Sequence, residues 1–307
     1  MKLGMVGLGR MGANMSTRLE RAGHEVVGYD RNPEVSQVAS IAELVERLGE
    51  GSRAVWTMVP SGDPTEAAIA EIADHLGEGD VVVDGGNSNY HDSIRRAGDL
   101  AARGIGFVDA GVSGGVWGLE EGYCLMVGGA PEHVAALQPV FDALAPEEGG
   151  FVHAGPSGAG HYTKMVHNGI EYGLMHAYAE GYELLAAAEL EIDVDGAVEA
   201  WRHGSVVRSW LLDLLCLALE GDPALASIAG RAHDSGEGRW TVNEAVRLAV
   251  PLPVISAALF ARFSSRQLDS PAMKVVAALR KQFGGHTTES VEQRPHEAGD
   301  EERNREA

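Results

Sequence analysis

Lysine is the scarcest charged residue of this chain. Only Lys2, Lys164, Lys274 and Lys281 face 45 aspartates and glutamates, and the formal net charge is −21. A surplus of this size repels nucleic acid and anionic membranes, which excludes both as partners. So few lysines under so much acid reads as adaptation to high salt, where screening tolerates self-repulsion. Cysteine is rarer still. Cys124 and Cys216 sit in apolar segments and are expected to be reduced, buried thiols rather than a disulfide. No Cys/His cluster has the spacing of a zinc site, so no metal is expected. No apolar run is long enough to span a bilayer. The N-terminus lacks the basic, apolar and small-residue sections of a secretion signal, and cytoplasmic residence is the expectation.

What the chain does have is alternation. Strand-like segments at residues 2–6, 25–29, 54–58, 81–84, 106–109, 123–127 and 151–153 are separated by helical stretches at 12–22, 34–48, 64–76, 91–103 and 132–144. This argues for an α/β fold, a Rossmann-type doubly wound parallel sheet over residues 1–159. Strand signals then stop, and helical periodicity predicts an all-α substrate and dimerisation domain over 160–287, opening with a long helix at 160–190. Helix starts are expected at Asp193 or Asp195, at Ser270-Pro271, and at a capping box Thr241-Val242-Asn243-Glu244. Residues 288–307 are charged, nearly free of apolar side chains, and expected to be disordered.

Gly7-Leu8-Gly9-Arg10-Met11-Gly12 follows the first strand and opens a helix. Gly7 permits the turn, Gly9 lets backbone approach a pyrophosphate, and Gly12 allows helix and strand to pack closely. The helix N-terminus then faces the phosphates. Asp30 ends the second strand, where a carboxylate accepts from a ribose 2′-hydroxyl and repels a 2′-phosphate. That favours NAD. The guanidinium of Arg31 beside it leaves NADP possible.

Lys164, His167 or Asn168, and Glu171 stand at i, i+3 or i+4, and i+7. Helical periodicity puts an amine, an orienting group and a carboxylate on one face over two turns. Two loops, Asp84-Gly85-Gly86-Asn87-Ser88 and Asp109-Ala110-Gly111-Val112-Ser113-Gly114-Gly115, follow predicted strands at the sheet's carboxyl edge. Asn and Ser there can hydrogen-bond a hydroxylated ligand, and glycine backbone can approach an anion.

Together these motifs resemble the β-hydroxyacid dehydrogenase superfamily and, within it, the 6-phosphogluconate dehydrogenase family in its short form. The resemblance implies Lys164 as general base, Glu171 as general acid, and Asn168 beside them. It implies sugar-acid contacts from Asn87, Ser113, Gly114, Gly115, His167 and Asn168, with Asn87 also near the cofactor. Phosphate contacts are implied for Tyr172, Arg239 and Arg266, with Arg262 competing for the last. Arg239 stands where the family motif carries Lys, and its planar fork suits phosphate at least as well. Arg280 and His286 resemble a C-terminal segment that reaches a neighbouring subunit, implying a homodimer or dimer-based tetramer. Val116-Trp117 departs from an acidic pair of long-form members, so no nicotinamide contact is carried to Val116.

The reaction implied is oxidative decarboxylation of 6-phosphogluconate to ribulose 5-phosphate in the oxidative pentose phosphate pathway. It needs a base at C3 and an acid at C1. Lys164 and Glu171, about 10 Å apart at ~1.5 Å per residue, can serve both from one helix. The lysine's pKa must then fall, through burial and nearby Arg or His charge. The rival reading is another β-hydroxyacid dehydrogenase, acting on 3-hydroxyisobutyrate or a semialdehyde. A non-catalytic NAD-binding sensor is more remote, since the catalytic face is intact.

Overall fold

The computed structural model describes residues 1–284, 287 and 288. Two compact units emerge: residues 1–228 with 234–260, and residues 229–233 with those from 261 onward. In the first unit, β1 (Lys2–Val6), β2 (Glu25–Tyr29), β3 (Ala54–Thr57), β4 (Val81–Asp84), β5 (Gly106–Ser113), β6 (Cys124–Gly129) and β7 (Phe151–Gly155) form one sheet in the order β2-β1-β3-β4-β5-β6-β7. Helices α1 (Arg10–Arg21), α2 (Ile41–Leu48), α3 (Asp63–His75), α4 (Tyr90–Ala101), α5 (Gly118–Glu121), α6 (Pro131–Ala136) and α7 (Gln138–Leu144) connect the strands. Neighbouring residues face opposite ways. Met5, Trp56 and Val83 pack with Met15, Leu19 and Phe141, while Val6, Val55 and Val82 pack with Leu44, Ile72 and Leu100. Over β1, β3 and β4 both faces are therefore apolar and covered, as parallel sheets require.

The sheet is parallel except that β5 and β6 run antiparallel. The ten residues between them hold only a 3-10 turn (Gly115–Trp117) and the short α5, too little for a parallel crossover. β5 also continues past Asp109 to Ser113, so the Val112-Ser113 segment is strand. The stretch expected to be helical from residue 34 becomes α2 only at Ile41, with Ser40 as its cap. Residues 32–38 instead make local turns: Asn32 Oδ1 accepts from Glu34 N, and Ser36 Oγ donates to Val38 O. The 132–144 helix is split into α6 and α7, with Pro139 in the first turn of the second.

The remaining helices are α8 (Ala159–Ala186), α9 (Val194–Trp201), α10 (Trp210–Gly221), α11 (Glu237–Leu248), α12 (Pro253–Ser265) and α13 (Pro271–Gly284). Asp193 caps α9 as expected, accepting from Gly196 N. The capping box at Thr241 does not form, because α11 begins four residues earlier at Glu237. Thr241 is internal and buried, with Oγ1 2.9 Å from Met165 O and 2.8 Å from Glu237 O. Cys216 is buried, but Cys124 is exposed at the start of β6. Its strand neighbours from Leu125 to Gly129 are all buried, and Cys124 at the strand's start is the exposed exception. The expected disordered tail lies outside the described residues from residue 289 on. Among the described residues no helix is long and apolar enough to cross a membrane.

α8 positions the chemistry. Asp109, fully buried, accepts from Gly158 N (2.6 Å) through Oδ1 and from His161 N (2.8 Å) through Oδ2. It thereby satisfies amides that a helix start leaves open. The helix then lies flat on β5, close enough that a Cβ on Gly111 would strike the Cβ of Lys164.

Candidate active site

The glycine turn at the end of β1 is built for a dinucleotide. Gly7 has φ +95° and donates to Tyr29 O, and a Cβ on Gly12 would collide with Gly7 O. A Cβ on Gly9 would meet no protein atom within 4 Å, which leaves space beside the first turn of α1 for a phosphate. Leu8 is committed inward: its amide donates to Asp30 Oδ2 at 2.7 Å. Asn32 N donates to the other carboxylate oxygen at 2.8 Å. Asp30 is thus fixed at the rim of a pocket of about 250 Å³ lined also by Gly7, Gly9, Arg31 and Pro60. Arg10 and Arg31 are exposed, and Met11 turns toward a second, larger cleft. The residues fit a nicotinamide dinucleotide.

That larger cleft has a volume of about 1190 Å³. It brings together Asn87, Ser113, Gly114, Gly115, Lys164, His167, Asn168 and Glu171 from three separate stretches of chain. Asn87 projects because its neighbours do not. Asp84 accepts from Gly86 N, from Ser88 Oγ at 2.7 Å and from Arg96 Nη1 at 3.0 Å, and buried Arg96 also donates to Glu66. Ser88, which the sequence offered as a second ligand group of this loop, is therefore structural. Across the cleft, His167 links the other loop to the helix face. Its Nε2 lies 3.5 Å from Ser113 Oγ, and its Nδ1 lies 3.1 Å from Asn168 Oδ1 and 3.9 Å from Glu171 Oε2.

Lys164 is 7% exposed. Burial pushes its amine below the ordinary lysine value, against the opposing pull of Glu171, Glu237 and Cys124. The Arg or His charge expected from the sequence is not among the causes. Desolvation alone drives the shift, and the nearby charges are acidic.

Of the expected phosphate contacts, Tyr172 and Arg239 are not among the residues that line this cleft. Tyr172 is buried outside the cleft wall, and its hydroxyl accepts from Ser235 N at 3.2 Å. Arg239, 53% exposed, is paired with Asp234 through contacts of 2.5 and 3.1 Å, which raise its pKa further. Arg266 and Arg280 belong to the second unit. There the guanidinium of Arg266 stands 5.3 Å over the Phe263 ring, Arg262 donates to His233 O, and Arg280 is exposed on α13. His286 lies outside the described residues. The structure also adds groups to the cleft that no motif announced. Ser235 and Glu237 flank the glycine before the Arg239 motif, and Trp210, Leu211 and Leu214 of α10 form an apolar wall.

This geometry has a counterpart in known proteins. Residues 2–155 match the NAD binding domain of 6-phosphogluconate dehydrogenase, and residues 160–301 match the 6-phosphogluconate dehydrogenase C-terminal domain. The NAD(+)-dependent, decarboxylating 6-phosphogluconate dehydrogenase of Haloferax volcanii is 44% identical over 93% of this chain and 98% of its own length. The NADP(+)-dependent, decarboxylating enzyme of Bacillus subtilis is 35% identical over 86% of this chain and 61% of its own. The solved structure of Plasmodium falciparum 6-phosphogluconate dehydrogenase superposes with a TM-score of 0.80 at 26% identity, covering 96% of this chain and 67% of that one. A nicotinamide-binding sheet, a buried lysine on the first long helix behind it, and matches along both halves lead to one conclusion: the chain belongs to the 6-phosphogluconate dehydrogenase family.

Proposed function

We propose that the protein oxidises and decarboxylates 6-phosphogluconate to ribulose 5-phosphate and CO2. The observation that carries this reading is the desolvated amine of Lys164, sharing a cleft with Glu171, Asn87 and the Ser113 loop. A desolvated lysine is the more easily neutral, as a base near physiological pH must be. Lys164 takes the proton of the C3 hydroxyl. A dinucleotide held by the Gly7–Gly12 turn and Asp30 would supply the acceptor for the hydride of C3. The resulting 3-keto acid loses CO2 from C1 while Lys164 returns its proton to the C3 oxygen. Glu171 then protonates C1 of the enediol. Asn168 and His167 orient the sugar-acid hydroxyls, together with Asn87, Ser113 and the Gly114-Gly115 backbone. Tyr172, Arg239 and Arg266 are the proposed phosphate contacts, and Arg280 and His286 further substrate contacts.

We assign residues 1–159 to the dinucleotide domain and 160–287 to the helical domain; the two family matches divide between residues 155 and 160, and the second runs on to 301. NAD is the preferred cofactor, because Asp30 is held at the pocket rim where a 2′-phosphate would lie. A homodimer, or a tetramer built from it, would cover Met273, Val276 and Leu279, which α13 exposes in the single chain. A cytoplasmic location goes with this metabolic reading. Turnover assays with 6-phosphogluconate and either cofactor, in high salt, test the reading. One CO2 per reduced cofactor is expected. Reduction without CO2 release, or turnover only with 3-hydroxyisobutyrate or a semialdehyde, would replace it with the rival dehydrogenase.

A further inference from the structure

The cleft contains a second carboxylate that the reaction leaves unused. Glu237 opens α11 after the Gly236 turn and is 2% exposed. Its Oε2 accepts a 2.6 Å hydrogen bond from Ser235 Oγ, and both residues line the cleft with Lys164. The segment is fixed to α8 on both sides of Glu237. Ser235 N donates to the Tyr172 hydroxyl, and Thr241 Oγ1 lies 2.9 Å from Met165 O. A buried carboxylate is costly unless hydrogen-bonded or paired, and this one also repels the anionic substrate. Among the described residues lining the cleft, Lys164 is the one lysine or arginine.

We propose that Glu237 is a positioning residue for Lys164: with Glu171 it brackets the amine from a second helix, holds it in the cleft and governs its proton exchange. The proposal rests on the reading of Lys164 as the base. The charged and titratable groups that act on the amine are Glu171 on α8, Glu237 on α11 and Cys124 on β6; His167 lines the same cleft, and Asp109 of β5 is occupied by amides at the start of α8. Burial lowers the lysine, and Glu171, Glu237 and Cys124 raise it. The two carboxylates therefore limit how far desolvation can weaken the amine. Without Glu237 the lysine is a poorer base at C3 and loses its proton at lower pH.

The four lysines make the test direct. The full chain is dimethylated with ¹³C-formaldehyde, and the Lys164 resonance, assigned by its loss in Lys164→Arg, is titrated by NMR. In Glu237→Gln it should titrate about one pH unit lower, the effect of removing one nearby opposite charge. The acid limb of kcat/KM should move down with it, and KM for 6-phosphogluconate should not rise. Glu237→Asp keeps the charge but withdraws it by one methylene, and should lie between. A purely structural role would lower Tm and leave both titrations in place. An unmoved Lys164 resonance in Glu237→Gln overturns the proposal, as does one in Glu237→Asp should the glutamine variant fail to fold. The NMR readout needs no substrate, so it still judges Glu237 if the substrate is a different hydroxyacid.

Discussion

Replacing Lys164 by methionine tests whether the amine is held out of water. The side chain is 7% exposed, and burial pushes its pKa below the ordinary 10.5. In the unfolded chain it regains that ordinary value. Between the folded pKa and about 10.5 the unfolded state binds the extra proton, so the wild-type fold gains stability as pH rises across that window. Below the folded pKa it carries the whole desolvation cost, and above about 10.5 it carries none. Each pH unit of depression corresponds to about 1.4 kcal/mol. Methionine keeps the unbranched stem and removes the charge, so it has no such pH dependence. The stability of Lys164→Met relative to wild type should therefore be greatest near pH 7. It should decline across the window by up to about 1.4 kcal/mol per pH unit. Urea unfolding of both proteins at pH 7, 9 and 10.5 in high salt measures this, and other titrations cancel in the difference. Turnover should fall by about 10²–10⁴-fold, the usual worth of a positioned base. A stability difference that stays flat from neutral to alkaline pH would refute the claim that the lysine is desolvated.

Asp30→Ser removes the charge that repels a 2′-phosphate and leaves Arg31 in place; the NADP-to-NAD ratio of kcat/KM should rise at least about tenfold, the effect of roughly 1.4 kcal/mol, and an unchanged ratio would place cofactor choice elsewhere. Asp109→Ala strips the acceptor from two buried amides of α8 and should cost about 1–3 kcal/mol for each group left unsatisfied, read by urea unfolding. It should also depress kcat by displacing Lys164, and wild-type turnover would show that the helix start is held by other contacts. Arg96→Met leaves Asp84 buried without its cation, a loss of about 3–5 kcal/mol, and frees the Asn87 loop. Its thermal midpoint should fall and its KM for substrate should rise.

Much of this was legible because the signals were periodic. Alternating apolar strands and a glycine turn after β1 gave the sheet, and helical phase gave the face that Lys164, Asn168 and Glu171 share in the cleft. Lys164 to Glu171 is seven residues, 700° of helical rotation at 100° per residue, so the two return to one side. Tyr172, one residue on, is rotated about 100° further, which is why it leaves the cleft and reaches Ser235 instead. Other features depended on length or on tertiary partners. The β5–β6 reversal followed from a short connection rather than from the strands themselves. Ser88 and Asn87 read alike in sequence, and only the Asp84–Arg96 pair separates the structural residue from the projecting one. Glu237 sat between two glycines beside a more familiar arginine, with nothing in its own spacing to mark a buried carboxylate.

The charge of the chain bears on how it binds its ligand. Most anion sites sit in a basic field, so added salt weakens binding. Here a sugar-acid phosphate approaches a protein of net charge −21, and the cleft wall itself carries Glu171 and Glu237. Long-range electrostatics oppose the encounter, and any attraction must come from groups at contact distance. Screening acts unequally on the two. The Debye length is about 3 Å at 1 M salt and about 10 Å at 0.1 M, so concentrated salt removes the distant repulsion and largely spares hydrogen-bonded contacts. KM for 6-phosphogluconate should therefore rise as salt is lowered, at salt levels where circular dichroism shows the fold intact. Dilution should weaken binding before it unfolds the chain. A KM that instead falls on dilution would mean that local arginines outweigh the field of the whole surface, and the acid surplus would then concern solubility alone.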